Sequence, residues 1–266
     1  MQDSQGTTAG GTYWRRTGTA GGTPVVLIHG LGLTHTTWDA LVPDLGKVHD
    51  VIQYDLVGHG RSGPPPHALS LRHFGDQVIE LLDELGIERA HLVGFSLGGM
   101  INRRVAIDHP GRVASLAILN SPHARGAEAQ RLVEQRAVDS AAGGPGATID
   151  ATLQRWFTPQ HLTEQPEQVA SVRALVLAND LAHYAAARWV LANGVTELIE
   201  PDPPIGLPTL VMTCRHDSGS TPEMAEKIAA EIIGARLDIV EGRQHLGLLE
   251  DPERFTAPIL SFLAEA

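Results

Sequence analysis

Gly94-Phe95-Ser96-Leu97-Gly98 has the G-x-S-x-G spacing that nucleophilic chemistry at a serine requires. A serine hydroxyl reaches a substrate when it stands at the tip of a sharp strand-to-helix turn. Bulky side chains at the two flanking positions would clash there, and both are glycine. The serine needs a base, and the base needs an acid to orient it. Where a serine sits on such a turn, the partners follow in the order Ser, acid, His, each on a loop after a strand. Asp217 and His245 meet that order. The chain has 13 histidines, so position and not residue type selects His245. His216 is the rival base, but it adjoins Asp217 on one loop. It cannot easily take that carboxylate's hydrogen bond and also reach Ser96. The other loop suited to the acid, after residues 114–119, offers Asn120, which is not a carboxylate.

A tetrahedral intermediate at Ser96 would need donors for its oxyanion. His29-Gly30-Leu31-Gly32 leaves a strand through a short Gly-rich turn, which points to the N–H of Leu31; the N–H of Leu97, just after the serine, is the second. Gly58-His59-Gly60-Arg61-Ser62-Gly63 fits a dinucleotide-binding G-x-G-x-x-G, but Pro64, Pro65 and Pro66 follow at once. No helix N-terminus can form there to hold a pyrophosphate. Trp156, Phe157 and Trp189 are candidates for a pocket wall. Arg125, Arg131, Arg136, Arg155 and Arg188 are candidates to hold an anionic group, and the sequence singles out none of them.

The elements that must position these residues follow from hydrophobic patterning. Apolar runs at 25–29, 51–54, 91–93 and 114–119 read as buried parallel strands, with two more at 209–214 and 236–240 and an edge strand at 12–16. Between them lie helices: one capped by Ser70 and running to about 85, one from 96 to 109, one opened by Thr221-Pro222, and one opened by Asp251-Pro252. Alternating strands and helices predict an α/β fold, a mostly parallel sheet flanked by helices. Residues 121–206 break the alternation with helical segments at 127–142, 149–157, 165–178 and 182–193. They read as a helical lid inserted into a core formed by 1–120 and 207–266.

Composition bounds the function. The 266 residues are 42 % hydrophobic and 19 % charged, typical of a globular domain, and no apolar run is long enough to span a membrane. Twenty Lys and Arg against 31 Asp and Glu give a net charge of −11, which argues against nucleic-acid and anionic-membrane partners. Cys214 is the single cysteine, so the chain can form no internal disulfide. The polar first 20 residues lack the apolar stretch of a signal peptide, so a cytoplasmic location is expected.

Taken together, HGLG at 29–32, DLVGHGRS at 55–62, GFSLGG at 94–99, RHD at 215–217 and QHLGLLEDPERF at 244–255 resemble the α/β-hydrolase superfamily over nearly the whole length. HGLGLT at 29–34, LLDELGIERAHLVGFSLGGM at 81–100 and RWFTP at 155–159 are similar to 3-oxoadipate enol-lactonases and related small esterases. The resemblance implies an α/β-hydrolase fold that cleaves a small-molecule ester or lactone through an acyl-enzyme on Ser96, with no metal or cofactor. Gln244 departs from the family's usual Gly or Ala before the histidine. Serine in the elbow argues against haloalkane dehalogenases and epoxide hydrolases. No Trp closely follows His245, whereas carbon–carbon bond hydrolases of ring-cleavage products usually carry one. That reaction stays open as an alternative, as does a ligand receptor on the same fold.

Overall fold

The computed structural model describes residues 2–19, 21–66 and 68–266. Eight strands form one sheet in the order β1-β2-β4-β3-β5-β6-β7-β8. They are β1 (Gln2–Thr7), β2 (Tyr13–Gly18), β3 (Pro24–Ile28), β4 (Asp50–Tyr54), β5 (Ala90–Phe95), β6 (Val113–Leu119), β7 (Thr209–Cys214) and β8 (Arg236–Val240). β1 and β2 pair antiparallel to their neighbours, and β3 to β8 run parallel. This is the α/β architecture that the apolar runs imply. β4, β5, β6 and β7 are buried along their whole length, which is why they lack the in–out alternation of a half-exposed strand. β8 closes one edge, and its first two residues are exposed.

One element departs from the sequence reading. The polar stretch 2–7 forms β1, so β2 is not an edge strand. Hydrophobic patterning misses β1 because its residues are polar and its hydrogen bonds come from an antiparallel hairpin rather than from burial. Gly6 lies against the Trp14 ring, where a Cβ would come within 2.9 Å of the indole.

Helix Leu71–Glu84 buries Leu71, Phe74, Val78, Leu81 and Leu82, a 3.6-residue stripe turned into the hydrophobic core, and Ser70 Oγ caps it at the His73 N–H. Helices Pro222–Glu231 and Glu253–Glu265 follow β7 and β8. Between β6 and β7 lie the helices Ala127–Gly143, Ile149–Trp156, Pro159–Glu164, Pro166–Leu177 and Leu181–Asn193. Among the described residues no helix is long and apolar enough to cross a membrane. The Gly58–Gly63 loop is folded on itself: Asp55 accepts the Arg61 N–H at 2.8 Å, and the Ser62 hydroxyl donates to Asp55 O at 2.6 Å. Gly60 leaves room for that carboxylate, since a Cβ would sit 2.3 Å from Asp55 Oδ2.

The strand order places the carboxyl ends of β3, β5, β7 and β8 along one edge, where the loops carrying Leu31, Ser96, Asp217 and His245 emerge. β5 passes directly into helix Leu97–Asp108 through Ser96. Crowding at this crossing leaves no space for side chains. A Cβ on Gly94 would lie 2.1 Å from Gly98 O, and one on Gly98 would lie 2.1 Å from Ile28 O. Gly94→Ala is therefore expected to lower the unfolding free energy by more than about 3 kcal/mol, or to prevent soluble expression. Gly111→Ala, at an open position, is expected to change it by less than about 0.5 kcal/mol. Urea unfolding of the two variants checks the contrast, and equal stabilities would contradict it.

Candidate active site

Ser96 has φ 56° and ψ −112°, a conformation L-residues rarely adopt. Its backbone is clamped on both sides: its N–H donates to Leu119 O at 2.8 Å, and its carbonyl accepts from the Gly99 N–H at 3.0 Å. The side chain is thereby thrust out of the turn. His245 Nδ1 donates to Asp217 Oδ2 at 2.6 Å, which leaves Nε2 to accept from the Ser96 hydroxyl at 3.2 Å. All three residues are buried. The structure thus joins the three residues that the sequence singles out into one hydrogen-bonded chain. His216 lies on the surface and has no part in it.

Asp217 is held by four donors. Besides His245, its Oδ2 accepts from Asn120 Nδ2 at 2.9 Å, and Oδ1 accepts from the N–H groups of Gly219 at 2.8 Å and Ser220 at 2.9 Å. Burial pushes the carboxyl up, but the charge and hydrogen bond of His245, with the donors from Asn120 and Gly219, outweigh it. The group is held below the usual carboxylate range. Asn120 is the residue that sequence reasoning passed over, having weighed it only as an acid. Its signal lies in the register: Leu119 pairs with Met212, so the next residue on β6 lies beside the loop after β7.

The loop after β3 approaches Ser96 closely; a Cβ on Gly30 would lie 3.2 Å from Ser96 Cβ. The N–H groups of Leu31 and Leu97 have no hydrogen-bond acceptor among the described residues, so both are free to donate at the site. His29 braces this loop. Its Nε2 accepts from the Leu56 N–H at 2.9 Å, so Nδ1 carries the proton and donates to Gly30 O at 2.8 Å. Only the neutral ring can do both.

Ser96 and His245 open onto a cavity of about 110 Å³ whose apolar wall includes Leu31, Leu33, Phe95 and Trp156. Trp156 lies 5.9 Å from His245, ring centre to ring centre. An indole thus stands at the histidine, supplied by a helix and not by the segment after residue 245, so the absence of Trp from that segment does not discriminate between reactions. Gln244 pins this helix, donating to Gln154 O at 3.1 Å and Arg155 O at 3.2 Å. Trp189 does not line the cavity and is 53 % exposed. Tyr184, Ala187, Arg188 and Leu191 face inward from helix Leu181–Asn193, and the 100° step per residue turns Trp189 outward. Arg131 is exposed as well, whereas Arg125, Arg136, Arg155 and Arg188 line the cavity.

Residues 25–257 match the model of the alpha/beta hydrolase family, and the chain belongs to that family. It is 31 % identical to an (E)-2-((N-methylformamido)methylene)succinate hydrolase of Acinetobacter baylyi, over 91 % of this chain and 90 % of the relative. It is 28 % identical to 3-oxoadipate enol-lactonase 1 of the same organism, over 87 % and 85 %. The enol-lactonase structure from Burkholderia xenovorans superposes with a TM-score of 0.88 at 28 % identity, covering 98 % of this chain and all of that one.

Burial lowers the pKa of His29 to about 4, outweighing the raising effects of Asp55 and the Gly30 carbonyl; it likewise lowers His91 to about 4 and His59 to about 3. Such rings are neutral when folded and take up protons on unfolding. The stability they confer is complete above the unfolded value of about 6.5 and is lost as pH falls toward 4. Urea unfolding between pH 7.5 and 5 is expected to show a falling free energy, by up to about 1.4 kcal/mol per pH unit for each such ring. His29→Asn should flatten the slope by about one proton. A pH-independent free energy over this range would contradict the buried neutral rings.

Proposed function

We propose that this alpha/beta hydrolase cleaves a small carboxylic ester or lactone through an acyl-enzyme on Ser96. The observation that carries the reading is the Ser96–His245–Asp217 hydrogen-bonded chain at the mouth of a small cavity. In this mechanism Ser96 Oγ attacks the carbonyl carbon while His245 Nε2 takes its proton. The imidazolium that forms is stabilised by the ionised Asp217, which Asn120 and two backbone N–H groups keep in place. The Leu31 and Leu97 N–H groups donate to the oxyanion of the tetrahedral intermediate. Collapse expels the alkoxide or enolate, which receives the proton from His245. A lactone's leaving group stays attached to the acyl chain. Water, deprotonated by His245, then releases the acid and restores Ser96.

Residues 121–206 act as the lid over this chemistry, contributing Trp156 to the wall beside His245. Asn179 on the lid donates to Gly32 O at 3.0 Å, tying it to the loop that carries Leu31. The modest cavity favours small acyl groups, since typical ligand pockets run to about 300 Å³ or more. The enol-lactonases among the relatives support a lactone as substrate.

Ser96→Ala is expected to reduce kcat on a small activated ester by about 10⁶, down to the detection limit. A folded Ala variant that retains more than about a tenth of the activity would refute the nucleophile assignment. Asp217→Asn should cost about 10⁴ by favouring the wrong imidazole tautomer, while His216→Ala, on the surface, should change kcat by less than about twofold. The reverse ranking would move the acid or base role to His216. An enol-lactone or small ester is also expected to exceed a ring-cleavage dienoate in kcat/KM by more than about tenfold, or ~1.4 kcal/mol. A dienoate preferred by that margin would assign carbon–carbon bond cleavage instead.

A further inference from the structure

Arg125, Arg136, Arg155 and Arg188 come from four separate segments and converge on the cavity that Ser96 and His245 border. None is paired with a carboxylate among the described residues. Their hydrogen bonds go to neutral acceptors. Arg125 reaches Ala192 O at 3.3 Å and Gln130 Oε1 at 3.5 Å, Arg155 reaches Thr152 Oγ1 at 3.1 Å, and Arg188 reaches Arg136 O at 3.3 Å and the Tyr184 hydroxyl at 3.2 Å. Among the described residues Asp217 is the one carboxylate on the cavity wall, and its oxygens are taken by His245, Asn120, Gly219 and Ser220.

Four partly buried cations in one small space repel one another and have lost part of their hydration. Burial lowers Arg125 and Arg155 to about 10, and for Arg155 the charges of Arg136 and Arg188 add to the effect. Arg125 and Arg155 both stay protonated at neutral pH. In a protein of net charge −11, with other arginines paired to acids at the surface, a cluster left without a counter-charge is costly unless a ligand supplies one. Guanidinium forks match the two oxygens of a carboxylate.

We propose that Arg125, Arg136, Arg155 and Arg188 form a subsite for a carboxylate on the substrate, so that the compound cleaved is a small anionic ester or lactone. The proposal rests on Ser96 as the nucleophile, because the subsite borders the same cavity. The helix bearing Arg155 is pinned to the His245 loop by Gln244 and by the Leu246 N–H, which donates to Trp156 O at 2.8 Å. A carboxylate held there would fix its own distance from the reacting carbonyl.

The test separates binding from chemistry. In Ser96→Ala, which cannot cleave them, monomethyl succinate and neutral dimethyl succinate are titrated by calorimetry. Expected are binding of the monoester at least about tenfold tighter than the diester, and loss of that preference in 0.5 M NaCl. Adding Arg155→Gln or, independently, Arg188→Gln should weaken monoester binding by about tenfold or more, Arg155→Lys by less, and the exposed Arg131→Gln not at all. Equal binding of the two esters, or a preference that survives both Gln variants, overturns the subsite without bearing on Ser96, since no bond is broken. Inorganic phosphate binding more tightly than the monoester overturns the carboxylate assignment. Hydrolysis that persists in Ser96→Ala would instead overturn the nucleophile and leave the binding result standing.

Discussion

The turn at Ser96 is the constraint on which the rest of the site depends. β5 must end and a helix must begin within one residue, and that residue sits at φ 56°. Such a conformation persists only where the surroundings over-determine it. Here they do: Gly94 and Gly98 are in backbone contact with each other and with the end of β3, and Ser96 is hydrogen-bonded on both sides. The same crowding brings the loop after β3 up to Ser96. The geometry that strains the serine therefore also sets the Leu31 loop beside it, and among the described residues the N–H groups of Leu31 and Leu97 have no acceptor.

Around that turn the protein buries charge and polarity in unequal ways. Asp217 is buried yet stays ionised because four donors surround it. His29 and His59 are buried and neutral because burial outweighs their favourable neighbours. The contrast has one physical basis: a buried charge survives where hydrogen bonds replace its hydration and is given up where they do not. For His29 the neutral form is also the only one that can brace the loop, since one nitrogen must donate and the other accept.

The cavity carries the opposite electrostatic sign from the molecule as a whole. Net charge −11 keeps the exterior repulsive to polyanions, while four arginines gather on the inner wall. A small anion would exchange the mutual repulsion of the guanidinium groups for charge-assisted hydrogen bonds within reach of Ser96. In the proposed function, selectivity for charge comes from the segments between β6 and β7, and bond breaking from the loops at the carboxyl ends of β5, β7 and β8.

Much of this was written locally in the sequence. The apolar runs at 25–29, 51–54, 91–93, 114–119 and 209–214 mark strands because full burial demands continuous hydrophobicity, whereas 236–240 forms the edge strand β8, exposed at its start. Gly-Phe-Ser-Leu-Gly marks the turn because backbone crowding acts between near neighbours in the chain. The order of Ser96, Asp217 and His245 follows from their places after β5, β7 and β8. The polar hairpin strand β1 escaped that logic because its partner, not its composition, makes it a strand. Asn120 escaped it because its role exists only once β6 and β7 lie side by side. Of five candidate arginines, the structure turned four into the cavity and left Arg131 in solvent; of two tryptophans, it brought Trp156 to His245 and turned Trp189 outward. Residue type is the same on both faces of a helix. Which face meets the site depends on rotation and packing, and those are set by contacts between residues far apart in the chain.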